Sequence, residues 1–408
     1  MTDKIVLNKF KYFGGTHCQS SSLKNMFAFH GLNLSEEMML GLGGGIGFMY
    51  WYSKNMPAPF IGMRNSNIVE FVEKICQRTG GSACLWRSKS SKKSYEKLKN
   101  ILSSGEPAYV FADMAFLPYL ALPSNAHFGG HSVVVFGIDE EKDIVYISDR
   151  GKTYFTVGIE AFKNARCSEF PPFPARNGLM EVKYPKQIKN LENGINQGVK
   201  ESCEMMFNPQ ISNFGLKGIK KWAEIVTEWD NTFKGKNFLG CLLNTFIYIE
   251  IGGTGGRGFR SMYTKFLTES ADILDNPQLK VSAGMFEKSA WKLSEVAFAA
   301  LPDGIHPLKK IRELFIKKNK LFEEDGAESF PKLQNLNIQI DGLMKDAVEY
   351  LKKNDAAPLL FNLREKILNW HKTEESAFEN LQESIKYCHG STEGEETRKY
   401  KSHFSAFP

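Results

Sequence analysis

Residues 16–31 read THCQSSSLKNMFAFHG, and this stretch predicts a helix with a cysteine in its first turn. Thr16 stands three residues before Gln19, a capping-box pattern that predicts Thr16 as the N-cap and Cys18 as the second helical residue. Gly31 follows the apolar positions and is typical of a C-terminal stop. The helix dipole favours the thiolate of a cysteine at this end, so the pattern predicts a nucleophile. The alternative is that Cys18 is a small buried apolar residue.

A base for this cysteine is predicted farther along the chain. His131 opens the apolar run HSVVVFGID, and a charged loop leads to a second run, IVYISD, which ends at Asp149. Two such runs joined by a short loop predict an antiparallel hairpin. If the turn centres between residues 140 and 141, His131 falls opposite Arg150 and next to Asp149. A turn shifted by a residue or two changes the exact pairing and the face but keeps the base and the carboxylate at the same end of neighbouring strands. The sequence therefore predicts Cys18 as nucleophile, His131 as base and Asp149 as the group that orients the base.

The histidines of this segment leave alternatives open. His127 lies four residues before His131 and competes with it as the base. The two histidines and Cys18 also have the residue types of a zinc site, although the histidines flank a Gly-Gly loop and no second cysteine lies near Cys18. Purely structural roles are the other alternative, with Asp149 closing a turn and His131 ending a strand.

These residues also carry a family resemblance. The order of a cysteine, a histidine opening a strand and an aspartate ending the next strand resembles papain-like cysteine peptidases of the double-glycine type. Most of the chain resembles the butirosin biosynthesis protein H family. The motifs that carry this resemblance are HCQSSSLKNMFAFHG at 17–31, GLGGGIGFMYW at 41–51, HFGGHSVVVFGID at 127–139, VYISDRG at 145–151, EAFKNAR at 160–166 before FPPFP, and GTGGRGFRSMY at 253–263.

The resemblance implies acyl transfer in antibiotic biosynthesis. The butirosin protein moves an aminoacyl group from an acyl carrier protein thioester to an aminoglycoside amine, and the similar ATP-independent amide synthase of closthioamide assembly condenses carrier-bound aryl units with a diamine. In this chain Cys18 would attack the thioester, His131 would deprotonate the incoming amine, and Asp149 would orient His131. The implied partners are a carrier protein and a small amine. No cofactor of the protein's own is implied, because the carrier protein presents the 4′-phosphopantetheine.

One position departs from the peptidase pattern. Double-glycine peptidases place a glutamine for the oxyanion hole six residues before the cysteine, and Tyr12 occupies that position here. Gln19 lies on the other side of the nucleophile. The backbone N–H of Cys18 is predicted as one oxyanion donor, and the second donor stays unassigned.

Two glycine-rich loops are candidates for substrate binding. Residues 253–258 match G-x-G-x-x-G literally, but the preceding run is long enough for a buried helix, so we predict a break between helices rather than a dinucleotide site. The loop at residues 41–47 is predicted to line an acyl channel, with simple chain reversal as the alternative. The predicted substrate-binding residues are aromatic or basic: Phe48, Tyr50, Trp51, His127 and Arg257, the last facing the pantetheine phosphate or the substrate.

Composition limits the class of protein. The chain has 408 residues, a net charge of +6 and seven cysteines without a pairing pattern, which fits two domains in a reducing compartment. Neither a signal peptide nor a membrane-spanning run is predicted, so we expect a cytoplasmic protein without a membrane partner. The mild charge does not call for nucleic acid.

The basic run at residues 87–99 is either a solvated face or a docking surface for an acidic carrier protein. A homodimer is left open.

The organisation changes near Pro185, where short strands and glycine loops give way to helical periodicity. We predict an α+β protein with a papain-like catalytic domain at residues 1–185, an all-α domain at 186–389 and a loosely ordered tail at 390–408. The favoured function is a cysteine-dependent, amide-forming acyltransferase, since a helical domain can shield an acyl-enzyme from water. A papain-like hydrolase and a non-catalytic peptidase-like binding module are the alternatives.

Overall fold

The computed structural model describes residues 4–54, 56–65 and 67–386, apart from the side chains of Ala327 and Lys386. The predicted tail at residues 390–408 lies outside these ranges. Among the described helices, none is both long enough and apolar enough to cross a membrane.

Antiparallel strands dominate the first half of the chain. The strands are β1 (Lys4–Val6), β2 (Ile46–Trp51), β3 (Phe60–Arg64), β4 (Ser82–Trp86), β5 (Ala108–Ala112), β6 (His131–Asp139), β7 (Ile144–Ser148), β8 (Phe155–Val157) and β9 (Leu179–Lys183). Six of them form a sheet in the order β4-β9-β5-β6-β7-β8, and β1 joins this sheet by pairing with β6. Strands β2 and β3 form a separate hairpin.

Five helices accompany these strands in the described part of the chain: α1 (Cys18–Phe29), α2 (Glu36–Leu42), α3 (Ile68–Arg78), α4 (Ser91–Ser103) and α5 (Ile159–Cys167). After β9 the chain is helical. The later helices are α6 (Leu191–Phe207), α7 (Gly215–Ile225), α8 (Trp229–Thr232), α9 (Lys236–Phe246), α10 (Arg260–Ile273), α11 (Gln278–Ala300), α12 (His306–Asp325), α13 (Phe330–Lys353) and α14 (Ala357–Lys386). The α+β class is therefore confirmed, with an antiparallel sheet followed by a helical region.

The glycine-rich segment 253–258 lies between two helices, as predicted. A π-helical turn at Ile247–Ile251 follows α9, and a short 3-10 turn at Arg257–Phe259 leads into α10. No strand precedes the glycines, so the arrangement that binds dinucleotides does not form there.

Helix α1 is fixed to the sheet by polar contacts as well as by its apolar side. The Ser22 hydroxyl donates to the Ser132 carbonyl of β6 at 3.3 Å, and the Asn25 amide donates to the Ser148 hydroxyl of β7 at 3.3 Å. Gly31 ends the helix at a φ of 74°, which confirms the predicted stop. The first turn of α1 is thus held against the strands of the predicted hairpin.

The two faces of the sheet bury different helices. Alternate residues of β5 and β6 point to opposite sides, as strand geometry requires. The face that packs with α1 carries Tyr109, Phe111 and Val134, whereas the face that packs with α4 and α5 carries Val110, Val133 and Val135. The basic run around α4 therefore lies across the sheet from α1.

The hairpin of β6 and β7 forms, but its predicted register is wrong. Asp139 pairs with Ile144, which places the turn one residue later than expected, and a bulge then shifts the pairing again. His131 lies beyond the paired part of β7 and pairs with Ala112 of β5 instead of facing Arg150. A bulge inserts one residue on one strand only, which no period-two pattern reveals.

A buried ion pair joins the helical region to the β2–β3 hairpin. Arg260 donates to Glu374 through Nε at 3.0 Å and Nη2 at 2.7 Å, and both side chains are fully buried. Arg260 also donates to the carbonyls of Gly47 at 3.0 Å and Met63 at 3.2 Å. One hydrophobic cluster likewise contains residues from both sides of residue 185. The domain boundary at that position stays a prediction.

Helices α2 and α6 cross so closely that we expect Gly198→Ala to destabilise the fold. A Cβ at Gly198 would lie 2.1 Å from the carbonyl oxygen of Gly41, and that oxygen belongs to a backbone that cannot move aside cheaply. We expect the free energy of unfolding to fall by about 1–3 kcal/mol, measured by denaturant titration. The matched control is Gly284→Ala on α11, where a Cβ meets nothing within 4 Å. That change should leave stability equal or raise it by up to about 1 kcal/mol, and equal stability of the two variants would contradict the close crossing.

Candidate active site

The nucleophile turn starts α1 one residue later than predicted. His17 is the N-cap and Cys18 is the first helical residue, which corrects the predicted N-cap Thr16. The reason is that His17 Nδ1 accepts a hydrogen bond from the Ser20 N–H at 3.4 Å, whereas the Gln19 side chain donates to the Ile68 carbonyl and closes no capping box. Burial, with the charges of nearby arginines, lowers the pKa of His17 well below its usual value, so its ring is neutral and can accept.

Glu36 holds the chain that leads into this turn. Its carboxylate accepts hydrogen bonds from the Thr16 N–H at 3.0 Å, the His17 N–H at 3.2 Å and the Ser20 hydroxyl at 3.0 Å. Burial raises the pKa of Glu36, and these donors and the charge of Lys24 act against that rise. Sequence analysis missed this residue, because an acidic residue in the first turn of a helix has an ordinary local explanation.

The structure brings His131 and Asp149 together at one end of the sheet. His131 Nε2 lies 2.8 Å from Asp149 Oδ2, and both side chains are buried. The Tyr119 hydroxyl donates to the same oxygen at 3.0 Å, and the Arg150 N–H donates to Oδ1 at 2.7 Å. Because Nε2 is engaged with Asp149, Nδ1 is the ring nitrogen that remains for Cys18. Tyr119 was not predicted, since it comes from a 3-10 turn, Pro118–Leu120, far from both partners in sequence.

Cys18 completes the constellation. Burial acts to raise the pKa of its thiol, but the hydrogen bond and charge of His131, together with the Ser132 backbone N–H, outweigh burial and lower it to about 7. Burial acts to lower the pKa of His131, and the Asp149 carboxylate and Cys18 outweigh it and raise that pKa to about 10. The two directions favour a thiolate–imidazolium pair at neutral pH. Such a pair can attack a carbonyl carbon and then deliver a proton. The catalytic roles of Cys18, His131 and Asp149 stay predictions.

Two of the predicted channel residues lie in the core instead. Phe48 is fully buried, and its ring stacks on Trp222 with centroids 5.7 Å apart. Tyr50 is 3% exposed and accepts a hydrogen bond from Trp229 Nε1 at 3.1 Å. Both side chains of β2 are covered by helices of the second half of the chain, so neither lines a channel. Trp51, at the end of the same strand, is partly exposed.

His127 belongs to a separate cluster. Its Nδ1 lies 2.9 Å from Asp113 Oδ2, and its ring stacks on Phe170 at a centroid distance of 3.5 Å. The Ser168 hydroxyl donates to the same Asp113 oxygen. In the described part of the chain, no three His, Cys, Asp or Glu side chains are grouped to hold a metal ion. The structure therefore does not join His127 to the Cys18–His131 pair.

The side chain of Arg257 contacts two residues of α11. It forms an ion pair with Glu287 at 3.0 Å, and its guanidinium lies 3.5 Å from the ring centroid of Trp291. Trp291 itself is 57% exposed. A contact of Arg257 with a phosphate or a substrate stays a prediction.

The contacts of Glu36 predict a loss of stability in Glu36→Ala. The substitution leaves three donors of the nucleophile turn without their acceptor, so the free energy of unfolding should fall by about 1–3 kcal/mol in denaturant titration. Glu36→Gln keeps one acceptor oxygen and should lose less. The neighbouring Glu37 pairs at 3.1 Å with Lys265, which is 68% exposed, so Glu37→Ala should change stability by less than about 0.5 kcal/mol. Equal effects at the two positions would contradict this role of Glu36.

The Cys18–His131 pair predicts a characteristic pH profile of alkylation. The rate at which iodoacetamide modifies Cys18 should rise with pH around a midpoint near 7, as the thiolate forms. In His131→Ala the midpoint should move upward, because the imidazolium that stabilises the thiolate is gone. The Cys18 peptide is followed by mass spectrometry. His127→Ala is the control and should leave the midpoint in place, and an equal shift in both variants would make His127 a second base.

Two protein families match parts of this chain. Residues 17–150 match the family model described as butirosin biosynthesis protein H, N-terminal, a range that contains Cys18, His131 and Asp149. Residues 160–314 match a domain of unknown function, DUF4872. Among curated proteins, none matches the chain. Residues 17–150 of this chain are therefore similar to the N-terminal part of butirosin biosynthesis protein H.

Proposed function

We propose that this protein is an amide-forming acyltransferase of natural-product biosynthesis. In this proposal Cys18 takes an acyl group from a carrier-protein thioester and passes it to an amine. The similarity of residues 17–150 to the butirosin biosynthesis protein H family supports a biosynthetic role of the acyltransferase type. The observation that supports the cysteine route is the pairing of the partly buried Cys18 with the buried His131, whose Nε2 lies 2.8 Å from Asp149.

The first half of the reaction transfers the acyl group to the enzyme. The Cys18 thiolate attacks the thioester carbon, the bond from that carbon to the pantetheine sulfur breaks, and the His131 imidazolium protonates the departing thiolate. The N–H groups of Cys18 and Gln19 have no partner among the described residues, so they are available to the oxyanion. The N–H groups of Thr16 and His17 are engaged by Glu36 and are not available.

The second half forms the amide. The amine attacks the acyl-enzyme carbon, His131 Nδ1 accepts the proton that the amine loses, and Cys18 leaves as the thiolate. Asp149 stabilises the imidazolium that forms. No ATP is needed, because a thioester is already activated for attack by an amine. The protein requires no cofactor of its own, and the carrier protein brings the 4′-phosphopantetheine.

A papain-like hydrolase would use the same three residues and would differ only in admitting water. The helical region covers part of the nucleophile turn. The Thr16 hydroxyl lies 3.7 Å from the Met262 sulfur of α10, and a Cβ at Gly255 would lie 3.6 Å from the same hydroxyl. Cover of this kind protects an acyl-enzyme from hydrolysis and favours the transferase.

The carrier protein is part of the proposal, but its docking surface needs revision. The basic run was expected to attract an acidic carrier, yet α4 lies across the sheet from α1 and Cys18. Two of its lysines are also engaged, Lys97 with Glu181 at 2.6 Å and Lys99 with Glu140 at 2.8 Å. A carrier that delivers its thioester to Cys18 would therefore dock on the α1 side.

Intact-protein mass spectrometry tests the proposal directly. After mixing with short acyl thioesters of N-acetylcysteamine, the protein should gain the mass of one acyl group, and Cys18→Ala should gain none. Cys84→Ala is the matched control, because Cys84 is exposed, and it should acylate like the wild type. Added amines should discharge the adduct far faster than water does. Discharge by water at a similar rate would indicate the hydrolase, and no adduct with any thioester would leave only a binding module.

A further inference from the structure

Arg64 lies beside the nucleophile turn and plays no part in the mechanism above. It ends β3, and its guanidinium carbon lies 4.1 Å from the ring centroid of Phe71. The Phe71 ring in turn packs edge-on against His17, with centroids 5.5 Å apart. Because His17 directly precedes Cys18, one aromatic ring separates the guanidinium from the turn that carries the nucleophile.

The guanidinium has no polar partner of its own. Within the part of the chain that the structure describes, no side chain or carbonyl forms a hydrogen bond or an ion pair with Arg64, and its Nη1 is buried. Glu70, the acidic residue that follows it on α3, is engaged with Lys74 at 2.6 Å. Burial lowers the pKa of Arg64 to about 10, although the charges of Cys18, Tyr109 and Glu70 act against that fall, and Arg64 stays charged at neutral pH. The side chain is partly exposed, but a buried guanidinium nitrogen without an acceptor is costly, so the unpaired Nη1 requires an explanation.

Two hydroxyl groups near Arg64 also have buried polar atoms. The side-chain oxygens of Tyr109 and Ser132 are buried and form no hydrogen bond of good geometry among the described residues, although Ser132 and Gln19 lie close enough to act on the pKa of Tyr109. Ser132 follows His131 on β6. It pairs with Phe111 of β5, which lies two residues after Tyr109. The site thus offers a guanidinium and two hydroxyls that lack hydrogen bonds of good geometry, which is a donor set suited to a ligand rich in oxygen acceptors.

We propose that Arg64 binds a negatively charged group of the acyl donor, so that the preferred acyl unit carries a carboxylate a few atoms from its thioester carbon. This inference rests on the proposed function. A carboxylate can accept two parallel hydrogen bonds from a guanidinium, which gives direction as well as attraction. The pantetheine phosphate offers the same chemistry, but a long chain separates it from the sulfur. Only the Phe71 ring lies between the Arg64 guanidinium and the nucleophile turn, and this short separation favours a charge on the acyl chain.

Acylation rates of Cys18 test this proposal. The probes are succinyl N-acetylcysteamine and its neutral isostere, succinamoyl N-acetylcysteamine. The wild type should acylate with the succinyl probe at least about tenfold faster. Arg64→Met should remove this preference, so that the two probes acylate Cys18 at equal rates, and Arg64→Lys should restore part of it. The matched control is Arg176→Met, because Arg176 is a half-exposed arginine paired with Glu169, and it should keep the wild-type ratio.

A second pair of probes separates the two sources of negative charge. These are butanoyl 4′-phosphopantetheine and butanoyl pantetheine, which differ only in the phosphate. If Arg64 accelerates the phosphorylated member of this pair alone, the pantetheine phosphate is the ligand and the carboxylate proposal is overturned. Equal rates within both pairs, or preferences that survive in Arg64→Met, would also overturn it.

A binding measurement separates this proposal from the proposed function. Free succinate should slow the alkylation of Cys18 by iodoacetamide in the wild type and should have no such effect in Arg64→Met. If no thioester acylates Cys18, the transferase proposal fails, yet protection that depends on Arg64 would still support the anion site. Absence of protection, in a wild type that acylates without preference for charge, would end the anion proposal and leave the transferase intact.

Discussion

The geometry of the site depends on one carboxylate, that of Glu36. By accepting the N–H groups of Thr16 and His17, it fixes the entry into α1 and leaves the N–H of Cys18 as the first free donor of the helix. A helix N-terminus always has donors to satisfy, and here an acidic side chain from the next helix satisfies those that precede the nucleophile. The position of α2 therefore sets where the reactive sulfur and its backbone amide point.

The sheet supplies the other half of the constellation. His131 begins β6 and Asp149 follows β7, so the end of a two-stranded ladder fixes their separation. Tyr119 and the Arg150 N–H then satisfy both oxygens of Asp149, which holds the carboxylate ionised and in one orientation. Two rigid elements, the start of α1 and the end of this ladder, meet at Cys18. Preorganisation of this kind lets a buried pair exchange a proton without rearrangement.

Short-range pattern was enough to predict α1, the hairpin, the helical second half and the meeting of Cys18, His131 and Asp149. The predictions failed where contacts between distant parts of the chain determine the surroundings of a residue. Phe48 and Tyr50 follow a glycine loop and look accessible in sequence, but helices some 170 residues later cover them. Glu36, Tyr119 and Arg64 have no local signal, because each acquires its surroundings from elements distant in the chain. The bulge that shifts the hairpin register likewise leaves no trace in the alternating pattern of apolar and polar residues.

The ion pair between Arg260 and Glu374 has a consequence for how the protein unfolds. Arg260 donates to carbonyls on both strands of the β2–β3 hairpin, while its countercharge comes from the last described helix. Opening the hairpin would strip these carbonyls of their donor and expose a desolvated charge pair, a loss too large to be tolerated locally. The two halves of the chain are thus expected to melt in a single cooperative transition, and the strand that ends at Arg64 shares the stability of the whole molecule.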